Sequence, residues 1–580
     1  MPLLAGRVYF IECERAGVNG RRISLGRFGI ALLGLWGAAL LLALTGLGAV
    51  PLRDWDEALV ARVALELAQR PWSERLLPTL WGEPYLNKPP GLHWLVAGAI
   101  DLWRAMAGRS GQLLPPELPP PEAVVRLVPA LIGSSLPPLL ALVQARLRPE
   151  RPGAALASGA VALGLLPLAR HGHLAMLDSS QLVAMALVWL GLLAAPAAGG
   201  WRGVGWGLLA GAGGSGLLLL KAPVAVPVLL AALGLRALDR ELAAQGWRAL
   251  LLGLAMGVLP ALGWHGLHLL ARGEAALHMW GGQGLARVTR SLENHPSGPL
   301  PPLIQVLSGG WPWLPLWPLG LAAAWRRRQQ RDGRWALGLT LMASALVLPL
   351  QTQLPWYSLV LWPPFTLVCG PVLADLVAGR LRPGPAAAIS GLWQGLGALL
   401  LLALLLSRLP GIPADLAGAA PLALPAAMGL LLGGLLLASA AAATLRWRRR
   451  GALLLLAGWC GSMLMLFASP LWNWELNEQP ALAPLIPLLR SGPPPLPPLL
   501  AGGAAVERPS LAWYAGRWPQ SWPPAPGQEL PPRFDLVGEG AGKQPSPLPP
   551  AGLSCRPLLK PGVKSWGLWR CERTGERRRA

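Results

Sequence analysis

The chain has 580 residues and a formal net charge of +22; 53% of its residues are hydrophobic and only 13% are charged. Soluble domains carry roughly 25% charged residues. The composition therefore excludes a soluble enzyme, a nucleic-acid-binding protein and a disordered scaffold, and it indicates a polytopic membrane protein. The positive charge lies largely in short arginine clusters between apolar runs, such as 326–328 and 446–450. Such loops face the cytoplasm under the positive-inside rule, and contact with membrane lipids is an expected by-product.

Thirteen apolar runs approach or reach the roughly 20 residues that a helix needs to cross a bilayer. They lie at 28–50, 126–146, 153–169, 181–196, 203–220, 222–238, 249–271, 303–324, 335–350, 354–378, 388–407, 421–445 and 452–470. Arginines precede the first run, so we expect a cytoplasmic N-terminus. No small-residue cleavage site follows that run, which favours a membrane helix over a removed signal peptide. The expected fold is an all-α polytopic membrane protein with a small α/β domain at its C-terminus.

The orientation of the later loops depends on the short apolar stretch Gly91–Ala107, which contains Asp101 and Arg104. If this stretch crossed the membrane, every later loop would invert and the arginine clusters would face outward. We therefore expect it to be interfacial or re-entrant. The external segments are then 51–125, 170–180, 272–302 and 471–580.

An acidic group, Asp54-Trp55-Asp56-Glu57, directly follows the first run. A carboxylate beside a hydrophobic wall has a raised pKa and can act as a general base. Acidic residues are also favourable in the first turn of a helix, and 57–70 has the spacing of an amphipathic helix that lies on the membrane surface. Catalysis and helix capping are both open for this group, and one does not exclude the other.

The chain has only five lysines, and two of them, Lys88 and Lys221, lie outside the C-terminal segment. Both are expected at the external membrane surface. A compact ammonium group in this position can pair with a phosphate. The alternative is that each lysine only extends from a helix end to the headgroup region.

Histidines in the external segments leave two interpretations open. His171 and His173 precede Asp178 by seven and five residues, and His295 lies in the next external segment. Such side chains can bind a metal, although a histidine at a headgroup interface more often forms ordinary hydrogen bonds.

Asp56-Glu57, followed by PTLWGEPYLNKPP at 78–90, resembles the first external loop of the family 39 glycosyltransferases. These include the dolichyl-phosphate-mannose protein mannosyltransferases and the bacterial aminoarabinose transferases. Similar segments follow in the same order at 126–131, 170–178, 220–223 and 354–364, and 508–517 faintly resembles the family's tail domain. The resemblance implies the type C glycosyltransferase fold. It also implies inverting transfer of a sugar from a polyprenyl-phosphate carrier to a protein, lipid or glycan acceptor on the external (periplasmic) face of a bacterial inner membrane.

The resemblance implies a role for each matching residue. Asp56 is the expected catalytic base, Glu57 supports it, and Asp178 helps to orient the acceptor or the sugar. The residues expected to bind the donor phosphate are Lys88, Lys221 and Arg126. The residues expected to contact the substrate are Tyr85, His93, Arg170, His295 and Tyr357.

The sequence departs from the family pattern at Leu59 and Val60, where an arginine and a tyrosine are common, and at Asn87, which is often a glutamate. In the aminoarabinose transferases that glutamate and a histidine like His295 hold a metal. The resemblance therefore implies no certain cofactor here: no metal ligand is assigned, although a divalent metal stays open. Because this part of the aminoarabinose-transferase pattern is missing, we expect an acceptor other than lipid A.

Two other functions fit a multi-pass chain. A transporter or flippase for lipid-linked sugars needs no chemistry, but it predicts inverted repeats and polar residues at mid-membrane. The sequence has no convincing repeat, and its candidate residues gather outside. A scaffold has no need for acids and lysines at one surface, so the transfer reaction is favoured.

We expect two domains. Residues 1–470 form the transmembrane module, with the active site in the external loop 51–125, and 471–580 form a proline-rich external domain of short strands. Cys555 and Cys571 either form one disulfide across a hairpin, which an oxidising compartment favours, or remain two free thiols.

Overall fold

The fold has a helical part followed by a small sheet near the C-terminus. The computed structural model describes residues 25–112, 114–115, 118–291, 296–406, 424–469, 472, 482, 484–489, 496–525, 527–539, 553–559 and 566–573.

Apolar runs form helices because a bilayer offers no partners to backbone N–H and C=O groups, so each group needs a partner inside the chain. The first ten helices are α1 (Leu25–Leu44), α2 (Glu57–Ala68), α3 (Gly91–Arg109), α4 (Glu122–Ser134), α5 (Leu136–Leu147), α6 (Pro152–Leu163), α7 (Leu166–His173), α8 (Leu177–Ala194), α9 (Gly200–Leu238) and α10 (Ala244–Arg272). They continue with α11 (Ala286–Thr289), α12 (Leu300–Gly309), α13 (Trp317–Arg326), α14 (Arg331–Val347), α15 (Trp362–Val377), α16 (Pro383–Leu406) and α17 (Leu424–Phe467).

Within these ranges, nine helices are long and apolar enough to cross a membrane, or ten if the bent pair α6–α7 counts as one broken span. The thirteen predicted runs differ from this number for three reasons. The runs 203–220 and 222–238 are the two arms of α9, which is counted once although it is broken at Lys221. The run 153–169 forms two helices bent by 59°. The runs 303–324 and 335–350 form helices of only 10 or 17 residues.

Helix α9 is broken at Lys221, whose φ of −147° and ψ of 75° are not helical. Pro223 contributes to the break because it has no N–H to bond to the carbonyl four residues earlier. The two arms fold toward each other, since a Cβ on Gly214 would lie 3.5 Å from the side chain of Leu229. The break therefore presents Lys221 at the tip of a bent helix.

The external loop 51–125 contains α2, a two-stranded ribbon of β1 (Thr79–Leu80) and β2 (Glu83–Pro84), and α3. Most residues of α2 are buried in a core that also contains residues from the C-terminal segment. That α2 lies along the membrane surface stays a prediction. The 91–107 stretch forms α3, which is not among the described helices that are apolar enough to cross a membrane. Its Asp101 pairs with Arg75 in the loop.

The C-terminal part contains two short helices, α18 (Ile486–Leu489) and α19 (Pro509–Ala515), and a five-stranded sheet. The strands are β3 (Leu499–Gly502), β4 (Gln520–Trp522), β5 (Arg533–Glu539), β6 (Leu553–Leu559) and β7 (Trp566–Arg573), in the order β4-β3-β5-β7-β6. Strand β3 is parallel to β4 and β5, whereas β7 is antiparallel to β5 and β6. Cys555 and Cys571 are direct partners in the β6–β7 ladder and form a disulfide.

Candidate active site

The acidic group lies in a tight turn at the start of α2. Trp55 has a φ of 51°, and the amide of Asp56 donates a hydrogen bond to the carbonyl of Asp54. Asp56 is the N-cap residue, but its side chain makes no capping hydrogen bond. The capping alternative therefore does not explain its carboxylate, which is half-buried.

Glu57 and Arg126 form a fully buried pair, with both side chains 0% exposed. Arg126 donates to Glu57 through Nε and Nη2, each at 2.7 Å, and its remaining N–H bonds go to backbone carbonyls. These carbonyls belong to Leu47, Val50 and Pro51. A guanidinium has five N–H donors, and all five are used here. That Arg126 binds the donor phosphate stays a prediction, and such a contact would have to replace one of these hydrogen bonds.

Glu57 is equally engaged. Besides the two bonds from Arg126, its carboxylate accepts the backbone amides of Arg53 at 3.1 Å and Ala175 at 2.7 Å. Burial opposes its ionisation, but Arg126 and these amides outweigh burial and lower the pKa of Glu57. The Glu57 oxygens thus connect the start of α2 to Arg126 in α4 and to Ala175 just before α8. These contacts are structural, and a catalytic role of Glu57 stays a prediction.

Asp56 has the opposite electrostatic environment. Burial raises its pKa to about 7, and the negative charge of Asp178 adds to the rise. The positive charges of Lys88 and Lys221 partly oppose this shift. A carboxylate whose pKa lies near neutral pH is suited to accept a proton as a general base.

The two lysines come together from distant parts of the chain. Lys221 Nζ lies 2.7 Å from Asp178 Oδ1 and 5.1 Å from the centre of the Tyr357 ring. Burial and the charge of Lys221 lower the pKa of Lys88 to about 8, and a third cation, Arg287, adds to this effect. The site therefore concentrates positive charge next to the half-buried carboxylate of Asp56.

The sequence analysis missed Arg287. It lies in α11, within the predicted external segment 272–302, and its side chain is buried. Its charge acts on both Lys88 and Tyr357, so it shares their environment. The only signal in the sequence was an arginine in an external segment, which does not distinguish it from Arg290 nearby.

The other predicted substrate contacts have different surroundings. Tyr85 is buried, and burial together with the charge of Asp56 raises its pKa. His93 is completely buried and packs against Tyr85 with ring centres 5.3 Å apart. Arg170 is also buried and donates from Nε to the carbonyl of Trp472. Contact of either residue with a substrate stays a prediction. His295 lies outside the described residues.

The described part of the chain contains no group of three or more His, Cys, Asp or Glu side chains arranged to hold a metal ion. Both ring nitrogens of His173 contact backbone carbonyls, of Ala169 and Thr45, and Nδ1 of His171 contacts the carbonyl of Pro167. These contacts fit the hydrogen-bonding alternative for the two histidines. Both the presence and the absence of a divalent metal in the reaction stay predictions.

No protein-family model and no curated protein sequence matches the chain. Among solved structures, the chain is similar to ArnT from Cupriavidus metallidurans. The crystal structure of ArnT bound to undecaprenyl phosphate superposes with a TM-score of 0.64 at 17% sequence identity, over 94% of this chain and 97% of ArnT. The apo crystal structure of ArnT superposes over the same shares with a TM-score of 0.65 at 18% identity.

The chain has the fold of ArnT. This likeness, together with the apolar helices, confirms the predicted all-α polytopic architecture of the type C glycosyltransferases, followed by a small C-terminal domain with a β-sheet. The chain is an integral, multi-pass membrane protein.

Proposed function

We propose that this protein transfers a sugar from a polyprenyl-phosphate carrier to an acceptor hydroxyl or amine, with inversion at the anomeric carbon. The observation that carries the proposal is the half-buried Asp56 carboxylate, whose pKa of about 7 is influenced by Lys88 and Lys221. A second support is the fold, because the ArnT it resembles binds undecaprenyl phosphate in one of its crystal structures.

The donor phosphate binds to the cations. Lys88, Lys221 and Arg287 neutralise the negative charge that grows on the phosphate as the bond from the anomeric carbon to its oxygen breaks. The electron pair of that bond leaves with the phosphate oxygen. Because the phosphate is already a good leaving group, this side of the reaction needs no strong general acid.

Asp56 acts on the acceptor side. It removes the proton from the acceptor as the new bond to the anomeric carbon forms on the face opposite the phosphate, and it later releases this proton to water. Asp178 holds Lys221 at 2.7 Å until the phosphate binds. It therefore orients the lysine, and its charge also keeps the pKa of Asp56 high.

The apolar helices of the membrane part support a lipid-linked donor, because a polyprenyl tail can lie against them. A tail anchored in the membrane keeps its phosphate end near the reacting groups, which is a proximity effect. In the proposed orientation the arginine clusters are cytoplasmic, and the site and the C-terminal domain face the outside.

The test is donor turnover by the purified full-length chain in lipid vesicles, with a panel of labelled polyprenyl-phosphate sugars and mixed protein, lipid and glycan acceptors. Asp56→Asn should abolish turnover and leave binding of undecaprenyl phosphate unchanged. The matched control is Glu74→Gln, which removes an exposed carboxylate from the same external loop and should retain turnover. Equal turnover by the wild type and Asp56→Asn would refute the assignment, whereas movement of a donor across the bilayer without turnover would favour a transporter.

A further inference from the structure

The turn that carries Asp56 is held by the C-terminal domain. The Arg508 guanidinium pairs with Asp54, with Nε 2.5 Å from Oδ2. Ser510 donates its backbone N–H to Asp54 Oδ1 at 3.0 Å, and its hydroxyl also bonds to this oxygen. All three side chains are buried, and hydrogen bonds to charged groups are the strong ones. A residue 454 positions away in the chain thus fixes the carboxylate two residues before Asp56.

A second contact from the same helix holds the other end of the turn. The Tyr514 hydroxyl accepts the backbone N–H of Leu52 at 2.7 Å and donates to Glu122 Oε1 at 2.8 Å. Helix α19 therefore contacts the chain both at Leu52 and at Asp54. We call Arg508, Ser510 and Tyr514 the tail clamp.

The turn needs such support. A residue other than glycine with φ near 51°, as at Trp55, persists only where the surroundings impose it. The Trp55 side chain does not supply this constraint by burial, because it is 51% exposed. The constraint comes from the residues on either side of it, and those at 52 and 54 are bound to the tail clamp.

The tail clamp is itself backed by the sheet. The Arg508 guanidinium lies 4.8 Å from the centre of the buried Trp566 ring. Trp566 begins β7, which pairs with β5 on one side and, through the Cys555–Cys571 disulfide, is bonded to β6 on the other. The clamp therefore contacts a strand that is joined to β6 by a disulfide and to β5 by backbone pairing.

We infer that the C-terminal domain is a positioning element of the active site, in which Arg508 and Ser510 hold Asp54 so that the next turn aims the Asp56 carboxylate at the acceptor. This inference rests on the proposed function, because it takes Asp56 to be the base. It assigns Arg508 and Ser510 as positioning residues that do not touch the substrate. It also gives a reason for the packing of the C-terminal domain on the loop that carries Asp56.

Two variants remove the clamp with opposite changes in charge. Arg508→Met deletes the cation, and Asp54→Asn deletes the anion but keeps an oxygen that can accept the Ser510 N–H. Arg508→Lys is the conservative variant, and Arg533→Gln is the control because it removes a tail arginine whose pair with Glu572 is exposed.

Among the described residues, the titratable or charged groups that act on Asp56 are Glu57, Tyr85, Lys88, Asp178, Lys221 and Tyr357. No variant alters any of them.

Three readouts on the full-length chain in vesicles separate positioning from general damage. These are hydrogen exchange of amides 53–58, binding of undecaprenyl phosphate, and the pH profile of turnover with the donor found in the panel. We expect both variants to exchange faster and to lose about 100-fold in turnover, since a misplacement of roughly 1 Å is enough for such a loss. Binding should stay within about twofold of the wild type, and Arg508→Lys should recover part of the turnover.

The pH profile decides between positioning and a direct charge effect. A loosened turn admits water to Asp56, so the acid limb should move down by about one pH unit in both variants. A direct charge effect would instead move the acid limb to higher pH in Arg508→Met and to lower pH in Asp54→Asn. That result would overturn the inference. If Arg508→Met shows wild-type hydrogen exchange and turnover while Asp56→Asn is inactive, the inference is overturned but the proposed function stands. If Asp56→Asn is active, the proposed function itself is overturned. A loss of undecaprenyl phosphate binding as large as the loss of turnover would show general unfolding and would also overturn the inference.

Discussion

Replacing Arg126 by methionine tests the structural role of its pair with Glu57. In Arg126→Met, the Glu57 carboxylate stays buried but loses two guanidinium bonds of 2.7 Å and keeps only the two backbone amides. Removing one partner of a buried ion pair costs about 3–5 kcal/mol in the free energy of unfolding, because the other charge is left uncompensated. Three carbonyls also lose their donor, so we expect a value near the upper end of this range.

A second substitution separates the charge from the packing. The double variant Arg126→Met with Glu57→Met replaces the whole pair by apolar side chains, a change that is often close to neutral. The three carbonyls remain without their donor, and the backbone amides of Arg53 and Ala175 also lose their acceptor. Each unsatisfied group costs about 1–3 kcal/mol unless water replaces its partner. The double variant should therefore be less stable than the wild type, and its difference from Arg126→Met measures the uncompensated Glu57 charge against the two unpaired amides.

The assay is chemical denaturation in detergent micelles followed by tryptophan fluorescence, with undecaprenyl phosphate binding measured on the same samples. We expect the double variant to bind undecaprenyl phosphate once folded, because Arg126 has no N–H left for a phosphate. Wild-type stability of Arg126→Met would refute the structural role. A folded double variant that fails to bind would favour Arg126 as a ligand of the phosphate.

Three further predictions concern the cations, the base and the disulfide. Turnover should be bell-shaped in pH, rising as Asp56 loses its proton near 7 and falling as Lys88 loses its charge near 8; initial rates that keep rising well above pH 8 would contradict this. Arg287→Gln should weaken undecaprenyl phosphate binding at least about tenfold in a titration where Arg290→Gln, an exposed neighbour, has no effect. Replacing both cysteines of Cys555–Cys571 by serine should lower the unfolding free energy of the C-terminal domain by about 3 kcal/mol, because the bridge closes a loop with a sequence separation of 16; unchanged resistance to limited proteolysis would argue against it.

The acid and lysine residues could be predicted from the sequence because their chemistry is unusual in an apolar chain. Lys88 and Lys221 are the two lysines outside the C-terminal segment, and Asp56 belongs to the acidic group after the first apolar run. The three residues share one environment in the structure. Arg287 could not be distinguished in the same way, since arginine is the common basic residue of this chain. Its role depends on the path of the segment after α10, and periodicity does not predict that path.

The roles of Glu57 and Arg126 were harder to predict because they depend on contacts between distant positions. A sequence pattern gives no measure of burial for a charged side chain, and the two residues are 69 positions apart. The burial of α2 has the same origin, because its covering comes from the C-terminal segment and is not visible in its own amphipathic spacing. Long apolar runs predicted most membrane helices well, and the gap between the runs 203–220 and 222–238 falls at Lys221, where α9 is broken. The run 153–169, in contrast, did not reveal the 59° bend between α6 and α7.

The most direct test of the central claim is the release of free polyprenyl phosphate by the purified protein. The wild type, Asp56→Asn and Glu74→Gln would be compared with the same labelled donor and acceptor. The account predicts that the wild type and Glu74→Gln release one carrier phosphate for each sugar attached to the acceptor in inverted configuration, and that Asp56→Asn binds the donor without releasing it. Carrier release by Asp56→Asn at the wild-type rate, or a product of retained configuration, would contradict the account.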